Sequence, residues 1–81
     1  MEVWLQSTLE EIQRKTRLSK AQFEEVQGGV LLRGEVENLP WMACFLAGLG
    51  IPLIIHHPPE LRATLRQYGL LLASYAERIE A

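Results

Sequence analysis

Few residues in this chain are of types that do chemistry, and their spacing is the first thing to weigh. His56 and His57 are adjacent imidazoles, side chains that ligate transition metals or titrate near neutral pH. Neighbours on a strand point to opposite faces, and no cysteine or acid follows at zinc-ligand spacing. The expectation is therefore no metal, with one ring packed or capping and the other in water, free to contact a ligand. Cys44 is the only cysteine. It lies between Trp41 and Gly48 with no cation near in sequence to lower its pKa, which predicts a small buried hydrophobe rather than a nucleophile. There is no G-x-S-x-G or phosphate-cradling loop, and Gly48-x-Gly50 closes a helix where dinucleotide binding needs glycines that open one. These absences predict a non-enzymatic protein with no cofactor. Arg14, Lys15, Arg17 and Lys20 gather half of the 8 basic residues into a short stretch, either phosphate-binding charge or a solvated helix end. Arg62 and Arg66, one helical turn apart, read first as ordinary solvated surface, and otherwise suit clamping an acid or pairing with glutamates across a dimer.

The elements that must position these groups are bounded by length. At 81 residues the chain is a single domain, 1–81. A chain this short buries only about 60 to 65% of the surface its unfolded form exposes. Yet 48% of its residues are hydrophobic, which makes self-association a first expectation. With 8 basic and 10 acidic residues the charge is −2, not the footprint of a general nucleic-acid binder. The apolar stretch 41–55 is interrupted by Gly48, Gly50 and Pro52, so it makes no membrane span. The first residues carry no cationic signal-peptide region, and a lone cysteine suits a reducing compartment, so a cytoplasmic location is expected.

Alternation over residues 2–6 predicts a strand with Val3 and Leu5 on one side and Trp4 on the other. Ser7 to Glu10 reads S-x-x-E, a capping box opening a helix over about residues 8–18, with Leu9 and Ile12 inward. Residues 19–27 lean to helix by propensity but are assigned to a strand, because Gly28-Gly29 followed by Val30-Leu31-Leu32 reads as a hairpin turned on two glycines, and its second arm needs a partner. In that arm Val30, Leu32 and Val36 share a face, with Leu31, Arg33 and Glu35 opposite. Asn38 caps a helix carrying Pro40, Trp41, Cys44, Phe45 and Leu49 and ended by Gly50. A short strand reaches His57, held to an edge by Pro52. Pro58-Pro59-Glu60 opens the last helix, whose Leu61, Leu65, Tyr68, Leu72, Tyr75 and Ile79 form a stripe at steps of four and three, broadened by Leu70 and Leu71. The resulting fold class is α+β, a ferredoxin-like β-α-β-β-α-β sandwich with an additional C-terminal helix. Its open sheet face carries Trp4, Leu31 and Arg33.

Leu46-Ala47-Gly48-Leu49-Gly50, an apolar strand through His57, the helix start Pro58-Pro59-Glu60-Leu61-Arg62, Leu65 and the late Tyr75 together resemble the WCX domain, the C-terminal extension of bacterial WYL-domain transcriptional regulators. Val3, Leu5, Gln22 and Gly28-Gly29-Val30-Leu31-Leu32 fit the same pattern more loosely. The resemblance implies an accessory regulatory module acting in dimerisation and effector sensing, with other domains of a parent regulator as partners and any DNA contact indirect. Neither a DNA-reading domain nor a WYL motif lies in these residues, so the chain reads as a fragment or a stand-alone relative. His56-His57 stands where the family more often has an apolar or acidic residue. On this reading Trp4, Arg33, His56 and Arg62 are the candidate ligand contacts, and Leu65, Tyr68, Leu72 and Tyr75 the candidate homodimer contacts. Two rivals remain: a small-molecule or nucleotide sensor on the open sheet, and direct nucleic-acid binding through Arg14 to Lys20.

Overall fold

The computed structural model describes residues 1–16 and 22–79. The chain runs β1 (Glu2–Leu5), α1 (Leu9–Lys15), β2 (Phe23–Val26), β3 (Gly29–Arg33), α2 (Leu39–Gly48), β4 (Leu53–His57) and α3 (Pro59–Glu77). The strands form one antiparallel sheet in the order β2-β3-β1-β4. The segment assigned to a strand against its propensity does supply β2; residues 19–21 of it lie outside the described residues.

Strand alternation sorts the sheet into two faces. Val3 and Leu5 of β1, Val30 and Leu32 of β3, Phe23 of β2 and Ile55 of β4 are buried on one of them. Ile12 of α1, Met42, Ala43 and Leu46 of α2 and Leu61 of α3 close over these side chains into one core, with Leu9 and Val36 packed at its margin. Removing seven such side chains from water, each wholly buried, supplies the hydrophobic stabilisation that a small domain depends on. No described helix is long and apolar enough to cross a membrane.

Four local expectations are corrected by the geometry. The N-cap of α1 is Thr8, not Ser7: its hydroxyl accepts from the Glu11 amide at 3.2 Å, while Ser7 Oγ donates to Glu11 Oε2 at 3.0 Å. The cap is thus one residue later, with the Glu11 carboxylate on the Ser7 hydroxyl, because the chain leaves β1 through an extra pair, Gln6 N–H to Pro52 carbonyl at 2.9 Å. The hairpin turns on Gln27-Gly28, with Val26 opposite Gly29. Only Gly28 takes a left-handed φ, +84°. Gly29 is a β3 residue held to glycine by space, since a Cβ there would run into the Leu5 carbonyl and the Trp4 indole. Cys44 is exposed rather than buried. α2 is apolar almost all round, so periodicity leaves its phase undetermined. Packing selects the Met42, Ala43 and Leu46 side and leaves Trp41 stacked on Phe45 at the surface, ring centroids 5.4 Å apart. The fourth correction concerns the histidines, described with the site.

Other signals fall where expected. Asn38 Oδ1 accepts from the Trp41 amide at 2.9 Å, and α2 ends at Gly50, φ +66°, whose N–H bonds the Ala47 carbonyl. β4 is an edge strand, as Pro52 requires.

Candidate functional site

Two surfaces collect the candidate residues: the uncovered sheet face, and α3. On the sheet face cross-strand register builds two rows. Trp4 sits opposite Leu31 of β3 and opposite Ile54 of β4. The half-buried indole lies over Gly29, where the missing side chain makes room for it. This is an apolar strip across three strands.

Beside it runs a polar row across all four. His56 Nδ1 lies 3.1 Å from Glu2 Oε2, Arg33 Nε donates to Glu2 Oε1 at 3.1 Å, and Arg33 Nη1 lies 3.2 Å from Glu24 Oε2. The expectation that His56 and His57 diverge fails here. The register shifts between Glu2 and Val3, so that Glu2 pairs with His57 while Val3 pairs with Ile55, leaving His56 as the extra residue of a bulge. Both rings then approach the same carboxylate oxygen, His57 Nε2 at 3.8 Å. These approaches are a hydrogen bond from one ring and a looser contact from the other; among the described residues no group of three or more His, Cys, Asp or Glu is arranged to hold a metal. The His56 hydrogen bond, seconded by the charge and hydrogen bond of Arg33, holds the Glu2 carboxyl below its ordinary value of 4.5 against the opposing effect of desolvation.

The row decides what the face attracts. Arg33 is held between two carboxylates, so Glu2, Arg33 and Glu24 together carry one net negative charge. Exposed ion pairs contribute little to stability, so little opposes breaking one. The sign of the field is what disfavours a phosphate or carboxylate here.

Trp4, Arg33 and His56 are thus brought together, and Arg62 is not. Its Nη1 donates to the Ile55 carbonyl at 2.9 Å and reaches the His56 carbonyl at 3.4 Å, on the outer edge of β4. Arg62 closes a sheet edge instead of facing the platform. With Leu65 and Arg66 it borders a groove of about 440 Å³ against Leu53, Ile54 and Ile55. Sequence reasoning missed Glu2 and Glu24, the acids that organise the row. Glu2 shares the parity of Trp4, which was a usable signal; its partners depended on a register that no short-range pattern states.

On α3 the stripe divides at its midpoint. Leu61 is buried and Leu65 and Tyr68 half-buried, but residues 69–79 are all exposed. Leu70 is 69% exposed, Leu72 53% and Tyr75 54%, with Leu71 and Ile79 also exposed. The helix therefore projects from the body, in keeping with overall dimensions of 48 × 25 × 21 Å.

Of the basic run, Arg14 pairs with Glu10 at 3.2 Å and Lys15 Nζ donates to the Leu49 carbonyl at 3.2 Å near the end of α2. Arg17 and Lys20 lie outside the described residues.

Comparison with curated proteins and with solved structures finds no match. The family model of the WCX domain matches residues 2–73, which takes in all four strands, α1, α2 and α3 as far as Ala73, so the chain belongs to the WCX domain family.

Proposed function

We propose that this WCX domain is a non-enzymatic accessory domain of a WYL-type bacterial transcription regulator, working in the cytoplasm, and that it self-associates through the second half of α3. The strand order β2-β3-β1-β4 within a β-α-β-β-α-β sequence supports reading the body as a ferredoxin-like sandwich to which α3 is appended.

The observation that carries self-association is the projecting helix. Residues 69–77 make about two and a half turns, roughly 14 Å, with large apolar side chains and no core of their own to cover. Helical segments shorter than ~12 to 15 residues are marginal in water unless an apolar face is packed. Antiparallel packing of two α3 helices about a two-fold axis near Leu71 and Leu72 covers those residues and sets Tyr68 against Tyr75 of the other copy. The same register brings Arg66 towards Glu77 of the other copy, two symmetric pairs of opposite charge. Sedimentation equilibrium tests this: a dimer at micromolar concentration is expected, and a monomer persisting to high micromolar concentration refutes it.

Effector sensing belongs to the open sheet face, on the convergence of Trp4, His56 and Arg33. The flat indole and net acidic row favour a planar apolar or cationic effector over a nucleotide. Thermal-shift screening tests it, because a ligand selective for the folded state raises the melting temperature.

A further inference from the structure

The two edges of the sheet are treated differently. The outer edge of β4 is closed: Pro52 precedes it, α3 packs along it, and the Arg62 guanidinium takes the Ile55 and His56 carbonyls. The outer edge of β2 has no such cover among the described residues. The two-residue turn sets Val26 against Gly29, Glu25 against Val30, Glu24 against Leu31 and Phe23 against Leu32. In an antiparallel pair alternate residues exchange both hydrogen bonds with the residue opposite, and the intervening ones direct N–H and C=O away. The tight turn closes on the bonded pair Val26–Gly29, so Glu25 and Phe23 aim their backbone groups outward. Among the described residues nothing hydrogen-bonds to them.

Charge then selects the occupant. Glu24 and Glu25 are both exposed on this strand, and Glu25 has no ion-pair partner among the described residues. Glu25 and Val26 also border a groove of about 350 Å³ against Ser7, Thr8 and Glu10 at the start of α1. A second copy pairing β2 with β2 would set glutamates against glutamates across the ladder, which is destabilising. A strand carrying two adjacent bases between apolar residues mirrors the Phe-Glu-Glu-Val pattern instead. We propose that the outer edge of β2 is a docking site for an extended basic segment of a partner protein, of the pattern apolar-basic-basic-apolar, which adds as a fifth antiparallel strand with one base directed into the groove beside Glu25.

The probe is the peptide acetyl-Thr-Val-Lys-Lys-Val-Thr-amide, followed by amide NMR on the whole chain. Its expected signature by ~5 mM, above the millimolar affinity typical of so small an interface, is saturable shifts at the Phe23 and Glu25 amides and at least ~10-fold slower exchange there. The acidic counterpart with Glu-Glu in place of Lys-Lys should do neither. Glu25→Gln should weaken binding several-fold and Glu25→Lys abolish it, with the rest of the spectrum unchanged. If Glu25→Lys does not fold, Glu25→Gln and the acidic peptide still decide. No shift at Phe23 and Glu25, equal shifts with the acidic peptide, or binding undiminished in Glu25→Gln overturns the proposal.

Discussion

Replacing Leu72 with glutamate separates a packing role of α3 from a merely solvated helix end. Leu72 is 53% exposed and belongs to the part of α3 that projects from the body. Full burial of a leucine is worth about 1.5 to 3 kcal/mol, so covering the exposed half contributes ~0.8 to 1.6 kcal/mol per copy. Two-fold symmetry counts it twice, giving roughly 1.6 to 3.2 kcal/mol, or ~15 to 200-fold in the dimer dissociation constant. Introducing two carboxylates at one apolar seam adds their desolvation, so Leu72→Glu should weaken the dimer by at least ~15-fold. Stability of the folded protomer should change by no more than about 0.5 kcal/mol, as for other surface substitutions. Ala63→Glu, exposed on the first half of α3, serves as the control and should leave the association constant unchanged. Sedimentation equilibrium over a thousandfold concentration range reads the association, and circular dichroism reads the fold. A wild-type dimer whose constant is unmoved by Leu72→Glu would refute packing through this stripe.

Four further outcomes follow from the geometry. Arg66→Glu should weaken the dimer by about 1 kcal/mol over its two symmetric pairs, and Arg66→Glu with Glu77→Arg in one chain should restore it; failure to restore excludes the antiparallel register. Gly29→Ala should cost at least ~2 kcal/mol in urea unfolding, because its Cβ meets the Leu5 backbone, whereas Gly69→Ala in the open interior of α3 should gain up to ~1 kcal/mol. For Glu2 the folded carboxyl titrates below 4.5, so between the two values the unfolded state binds more protons; its contribution is full above pH 4.5 and is lost as the pH falls through the folded value. The stability difference between wild type and Glu2→Gln in pH-dependent unfolding should therefore shrink on acidification, and a constant difference would refute the linkage. Arg62→Met should cost about 1 to 2 kcal/mol by leaving two edge carbonyls without their donor, read by the same denaturation.

What was legible in the sequence followed the range of the signal. β1 and β3 were readable because alternation at period two acts within five residues, and their buried members are the expected Val3, Leu5, Val30 and Leu32. β2 was recovered by a pairing argument, since an unpartnered β3 arm would have left backbone groups unsatisfied. The N-cap slipped by one because Ser7 and Thr8 are equally good acceptors, and only the Gln6–Pro52 bond fixes where β1 lets go. Two adjacent glycines hid two different demands, a left-handed φ at Gly28 and room for an indole at Gly29. The histidine arrangement was beyond local reasoning altogether. A bulge is a mismatch between two strands separated by some fifty residues, and alternation within one strand contains no trace of it.

Charge accounting bears on the class of partner. Of the basic residues described, Arg14 is paired with Glu10, Lys15 with the Leu49 carbonyl, Arg33 with Glu2 and Glu24, and Arg62 with two edge carbonyls. The side chains of Arg66 and Arg78 alone among them make no described bond; Arg66 stands on α3 and Arg78 is the residue that caps its end. Glu25, Glu35 and Glu37 meanwhile form no ion pair among the described residues. The individual pairs are weak, so none of them by itself forbids a phosphate. Their sum does bear on the sign of the surface: breaking the Arg14 or Arg33 pairs to bind nucleic acid frees the acids they hold, Glu10 or Glu2 and Glu24, to oppose the polymer. A protein partner bearing basic residues gains from that field, and a second copy meeting along α3 brings its own Glu77 to Arg66. Direct nucleic-acid binding through Arg14, Lys15, Arg17 and Lys20 predicts a salt-dependent oligonucleotide complex that disappears when those four residues are neutralised, and its persistence in that variant would refute the assignment.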